Sequence, residues 1–374
     1  MAQPDSPAGG VEKTAASAPG VVSPTASGAV QSASGASAPF VHRWVSPFPR
    51  VIGKLGVKDL GLVINEDDPY SVQVGTYYAK ARRIPASQIL RVNLPVKPEL
   101  SPADFAKFSK QVDTFYGNRV QGLALAWKQP YAVGCNSITG ALALGYDGKL
   151  CSEACQKPGH KSRSSVYFGS VSVKPFKDHH MRPGMLLAAK DVASAKALID
   201  RGVRSDGTLG LKGAPPVDVH FVATSDQVRS VRQWSYPPAG PQPKVGINVL
   251  LDQTDALRHV DRVLLYMTGR ERIEGLDTVS FVPGALADHL TSFGGMLDDA
   301  HGQMSVLSWI DAGATASYGT TSEPCAHPQK FPHPQVLLLF YVQGATALEA
   351  YWKSVMWPQQ GLFVGEPLAA PFAR

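Results

Sequence analysis

The stretch Leu60-Gly-Leu-Val-Ile-Asn-Glu-Asp-Asp-Pro69 decides the fold class of this chain. Its first six residues are a short, continuous apolar run, the pattern of a strand buried on both faces of a parallel sheet. Asp68 is then placed to cap a helix, and Pro69 falls at the first helical position, where a missing N–H costs nothing. Val74, Tyr77, Tyr78 and Ala81 follow at i, i+3, i+4 and i+7, which gives that helix one apolar face. Gln88-Ile-Leu-Arg-Val-Asn-Leu94 reads as the next strand. Ser101-Pro-Ala-Asp104 opens a second helix with the stripe Phe105, Phe108, Val112 and Phe115, and Gly122-Leu-Ala-Leu-Ala-Trp127 is a third strand. Strand, helix, strand, helix, strand at this spacing implies right-handed crossovers and a parallel sheet.

The alternation resumes beyond residue 183. Met185 to Ala189 reads as strand, Val192 to Arg204 as a helix behind Asp191, and Val217 to Val222, Gly246 to Leu251 and Val263 to Thr268 as further strands. A last helix, Ala345 to Val355, buries Leu348, Tyr351, Trp352 and Val355. Residues 130–183 are irregular, with a short helix over Ser137 to Leu144, and read as an insertion lying over the sheet edge. The expected fold is therefore α/β: one parallel-rich sheet with helices on both faces.

Composition narrows the function classes. The chain has 374 residues, 44% of them apolar, which suffices for a substantial core, and a formal charge of +6. Its Lys and Arg are scattered, the densest group being Lys80, Arg82 and Arg83, so no basic stripe with interleaved aromatics marks a nucleic-acid footprint. No run of 18 apolar residues is present, so no transmembrane helix is expected. No phosphate-binding loop, dinucleotide glycine fingerprint or metalloprotease helix occurs, and no cofactor is expected. Residues 1–39 hold Ala, Ser, Pro, Gly, Val and Thr with almost no charge, so a disordered tether over 1–45 and one folded domain over 46–374 are expected. A signal peptide's basic start and apolar run are missing. Tethers of this kind sit between an export signal and a folded domain, so export to the periplasm or envelope is expected, with the cytoplasm as the alternative.

The four cysteines are Cys135, Cys151, Cys155 and Cys325. In an oxidising compartment Cys151-Ser-Glu-Ala-Cys155 can close a small loop, or Cys135 can join a bridge. Paired motifs with zinc spacing are missing, so no metal is expected there.

Strands that end in small-residue loops carry chemistry at their carboxyl edge in parallel α/β sheets. His289 and Cys325 both follow strands, and a nucleophilic thiol needs a neighbouring imidazole. The competing reading is a structural histidine and an inert thiol in the proline-bounded Glu323-Pro-Cys-Ala-His-Pro328. Ser292 in Thr291-Ser-Phe-Gly-Gly295 precedes two glycines, Gly294 and Gly295, whose amides would suit an anion. A tight turn explains the same residues. Asp288, His289, Asp298, Asp299 and His301 would suit a cation if they converged, and otherwise read as solubilising groups. Glu66 and Asp67 end the first strand, where carboxylates favour the helix start. The His179-His180 pair falls in the insertion and reads as exposed. Glu66, His289 and Glu323 are expected to share one rim of the sheet.

Leu62-Val-Ile-Asn-Glu-Asp-Asp-Pro-Tyr70 through Pro85, Pro283-Gly-Ala-Leu-Ala-Asp-His-Leu-Thr-Ser-Phe-Gly294, Gly313-Ala-Thr-Ala-Ser-Tyr-Gly319, Glu323-Pro324 and Phe363-Val-Gly-Glu-Pro367 resemble blocks of an uncharacterised bacterial family associated with exosortase-carrying genomes. That resemblance spans roughly residues 55–374 and implies no activity. More distantly, the order of these blocks and Gly365-Glu-Pro367 are similar to gingipain-type caspase-like peptidases, whose sheets end in Gly-Asp-Pro. That likeness implies a caspase-like or flavodoxin-like three-layer sandwich. The peptidase dyad is altered: Ser292 stands where the nucleophile would fall, and Arg270-Glu-Arg272 replaces the His-Gly pair. The resemblance implies a non-catalytic or divergent peptidase relative that binds a protein or peptide partner. The alternatives are an active hydrolase using Ser292 or Cys325 with His289, and an oligomeric scaffold protein.

Overall fold

A computed structural model describes residues 41–44, 51–151, 163–298 and 301–374; residues 1–40 and 45 of the expected tether, Cys155 and Asp299 lie outside the described residues. Val41–Arg374 forms one compact unit. In chain order the elements begin with β1 (Leu60–Asn65), α1 (Pro69–Arg82), β2 (Ile89–Val92), β3 (Glu99–Leu100), α2 (Pro102–Tyr116) and β4 (Gly122–Leu125). The insertion contributes β5 (Ala132–Val133), β6 (Asn136–Ser137), α3 (Ile138–Leu144) and α4 (Pro175–His179). Then come β7 (Gly184–Leu186), α5 (Val192–Ser205), β8 (Val217–Ala223), β9 (Gly240–Gln242), β10 (Ile247–Gln253), β11 (Val260–Thr268) and β12 (Val279–His289). The chain closes with α6 (Leu307–Asp311), β13 (Ala316–Thr320), α7 (Pro334–Val342), α8 (Ala347–Ser354) and β14 (Gly361–Gly365).

The helix starts follow their capping residues. Asp68 accepts from the Tyr70 amide, Ser101 from Asp104 and Asp191 from Ser194, each satisfying an amide that the first turn leaves free. Thr346 and Glu349 cap α8 reciprocally.

Among the described residues the main sheet has eleven strands in the order β2-β1-β4-β7-β14-β13-β12-β11-β8-β10-β9. Strands β2, β1, β4, β7 and β14 are mutually parallel, as are β13, β12, β11, β8 and β10. The two blocks meet at β13 and β14, which pair antiparallel. A mixed sheet of two opposed parallel blocks therefore replaces a single direction of travel. Strands β3, β5 and β6 form a separate small sheet, so the insertion is partly ordered strand and helix.

Helices cover both faces. A side chain on Gly61 would strike Tyr116 of α2, whereas one on Gly75 of α1 would strike Ile64. Residues 61 and 64 point to opposite faces of β1, so α1 and α2 lie on opposite sides. At the other block Trp309 of α6 packs on Tyr266 and His289, and at the junction Trp352 of α8 stacks on Phe363 of β14 at 4.2 Å between ring centroids. Among the described residues, no helix is long and apolar enough to cross a membrane.

Candidate functional site

The antiparallel junction sends the carboxyl ends of the two blocks to opposite ends of the strands. Glu66 and Asp67 follow β1, and His289 and Glu323 follow β12 and β13, so the expected common rim is corrected: Glu66 and Asp67 sit at one end and His289 with Glu323 at the other. Glu66 pairs with Arg91 at 3.2 Å and Asp67 accepts from Asn93 at 2.7 Å, both in exposed surroundings. At the same end as Glu66, Glu366 of the terminal Gly-Glu-Pro is fully buried. It accepts from Tyr78 at 2.7 Å and from Arg82, which also pairs with Asp206.

At the other end, the carboxyl edge of β11, β12 and β13, the expected dyad is closed. The Trp309 indole N–H donates to His289 Nδ1 at 2.8 Å. An indole nitrogen can only donate, so Nδ1 is the unprotonated nitrogen and the proton sits on Nε2. That Nε2–H donates to the Met304 carbonyl at 2.9 Å. Both nitrogens are used, the residue is fully buried, and burial pushes its pKa from 6.5 down to about 4. The His289 ring is thus neutral with both nitrogens occupied, the arrangement of the structural reading of this histidine.

Cys325 offers no thiolate: it and Cys135 are both disulfide-bonded. The expected Cys151–Cys155 closure lies outside the described residues, because Cys155 does. Cys325 and Ala326 both adopt left-handed backbone, unusual for residues with a side chain. Glu323 turns its carboxylate back onto the Cys325 amide at 2.8 Å, which holds this loop. Ser292 is half-buried, its carbonyl accepts from Thr320, and His289 has no nitrogen left to serve it as base.

Gly294 and Gly295 do not form an anion nest. The Gly295 amide donates to the Thr320 carbonyl at 2.9 Å, and neither glycine has positive φ. Their smallness serves packing instead. A Cβ on Gly295 would lie 2.5 Å from the Gly319 carbonyl oxygen, and one on Gly294 would lie 3.3 Å from His289 Cε1.

Asp288 and His289 are neighbours on a strand and face opposite sides of the sheet, so they do not converge on a cation. Asp288 is fully buried and takes Arg232 Nη2 at 2.6 Å, which leaves its Oδ2 unpartnered among the described residues. Burial raises the Asp288 pKa and Arg232 opposes that rise. Asp298 is exposed and His301 stacks on Phe293. His179 and His180 belong to the end of α4, with His179 in reach of Ser170 at 3.1 Å.

Arg232 is the residue that the sequence pattern did not single out. Its Nη1 donates to Pro332 O and its Nη2 to Thr268 O as well as to Asp288, which ties the loop after β8 to the ends of β11 and β12. It borders a cavity of about 160 Å³ whose walls include Phe168, Trp234, Phe331, His333 and Met356. The signal that would have found it is Arg232-Gln-Trp-Ser-Tyr-Pro237, an Arg and a Trp together in a loop, the residue types that dominate binding hot spots.

Comparison of the chain with protein-family models, with curated proteins and with solved structures finds no match in any of the three.

Proposed function

We propose that this chain is a binding protein, a non-catalytic relative of caspase-like peptidases that acts in the cell envelope on a protein or peptide partner. One observation carries the reading: both ring nitrogens of His289 are held by Trp309 and Met304, and the one cysteine that follows β13 is bonded in a disulfide. A general base needs a free nitrogen within reach of the nucleophile, and a cysteine nucleophile needs a thiolate. Disulfide-bonded Cys135 and Cys325 support export, since such bonds persist in oxidising compartments.

The test is turnover of a panel of fluorogenic peptide and ester substrates by the wild-type chain and by Ser292→Ala. No turnover above the variant's background is expected. Hydrolysis by the wild type that disappears in the variant would restore the hydrolase reading.

A further inference from the structure

We propose that the cavity beside Arg232 receives one aromatic side chain of a polypeptide partner. This deepens the reading of a non-catalytic binding protein and rests on it. Size comes first. A cavity of about 150 Å³ holds a benzene ring, and this one measures about 160 Å³. Its walls are matched to a ring: Phe168, Trp234, Phe331 and Met356 supply apolar and π surface.

Charge selects the occupant further. The Arg232 guanidinium borders the cavity and lies 5.7 Å from the Phe331 ring centroid, so a ring entering beside Phe331 meets a cation near its face. An aliphatic group of equal size would gain burial without that attraction. Asp288 balances Arg232 at 2.6 Å, so the pair presents no net charge to draw in an anionic or cationic group. Burial first, and the nearby Arg232 charge after it, hold His333 neutral by pushing its pKa down to about 4. The chemistry around the cavity therefore suits a neutral ring.

The surroundings point to a polypeptide as its source. Trp234 is 55% exposed, with its ring edge-on to His333 at 6.2 Å. Val228 is exposed on the loop that carries Trp234, and Val166 and Val171 are exposed on the loop that carries Phe168. Trp234 both lines the cavity and stands exposed beside it, so a polypeptide that seats a ring there also covers Trp234, which a free ring would leave in water.

The test is selection of a displayed random heptapeptide library on the full chain, followed by titration of the enriched peptides. An aromatic residue at one fixed position is expected in the enriched set. Replacing it by leucine should weaken binding several-fold. Trp234→Ala and Gln329→Trp should each weaken binding at least tenfold; both positions are exposed, so the variants are expected to fold. Enrichment without an aromatic, or full binding by both variants, overturns the inference. So does displacement of a bound peptide by free benzyl alcohol as effectively as by excess peptide, because the site would then serve small aromatics. Mass analysis of the recovered peptides separates the two claims. Cleaved peptides count against the non-catalytic reading and leave the pocket standing, whereas intact peptides that do not depend on Trp234 count against the pocket alone.

Discussion

The indole N–H of Trp309 points at Nδ1 of His289 across 2.8 Å, inside a second apolar cluster that also holds Tyr266 and Ala287. The contact fixes the tautomer of a fully buried ring and takes away the lone pair that catalysis would need. The pH dependence of stability follows from it. Burial holds His289 at about 4 in the fold, against 6.5 when unfolded. As pH falls from 6.5, the unfolded chain binds the proton first. The stability of the neutral ring is therefore complete above pH 6.5 and is lost as pH falls to about 4, a change of about 3 kcal/mol at most. His333 is depressed to a similar value and adds a loss of the same sign. Urea unfolding between pH 7.5 and 4 should show the decline in wild type and still show it in His333→Gln.

Gly295 is expected to be the less replaceable of the two glycines after β12. Its Cβ would press on backbone at 2.5 Å, where nothing can rotate away, whereas that of Gly294 meets an imidazole edge at 3.3 Å. Gly295→Ala should cost about 1–3 kcal/mol through overpacking, and Gly294→Ala less. Thermal unfolding of the two variants side by side checks the order. Equal melting temperatures would contradict it.

Arg82 and Glu366 form the buried ion pair at the other end of the strands. Removing the arginine leaves a fully buried carboxylate with only Tyr78 and the Leu368 amide as donors among the described residues. Arg82→Ala should lose about 3–5 kcal/mol, and the double variant Arg82→Met, Glu366→Gln should recover much of it. Chemical denaturation of both variants is the measurement. A double variant no more stable than the single one would show that the pair is not what makes the single change costly.

Cys135 and Cys325 are bonded, so neither should react with iodoacetamide in the native chain. Reduction with a dithiol should lower the unfolding free energy by about 2–5 kcal/mol per bridge. Alkylation of Cys325 in the oxidised native protein would contradict the bonded state.

Much of this fold was legible in the sequence because its signals are local. Asp68, Ser101 and Asp191 announce their helices through caps, and the run from Leu60 to Asn65 has the length and apolarity of a buried strand. What could not be read was set by pairing far along the chain. Strand β14 is five residues long, bounded by glycines, yet it enters the middle of the sheet beside β7 and opposes the block of β13, β12, β11, β8 and β10. The misplaced common rim of Glu66, His289 and Glu323 traces to that one strand. Helix α7 escaped notice because it is apolar all round and shows no period. The candidate site was half legible. His289 lay where strand ends predicted it, but its partner Trp309 lies 20 residues on, and Arg232 sits in a loop with no periodic signal.

Nitrogen-15 chemical shifts of the His289 ring, followed from pH 8 to pH 4, test the account most directly. A neutral ring protonated at Nε2 and unprotonated at Nδ1, unchanged until pH falls close to 4, is the expected result. A ring that titrates between pH 6 and 7, with its Nδ1 freely exchanging, would mean that Trp309 does not hold it and that the site is open for catalysis.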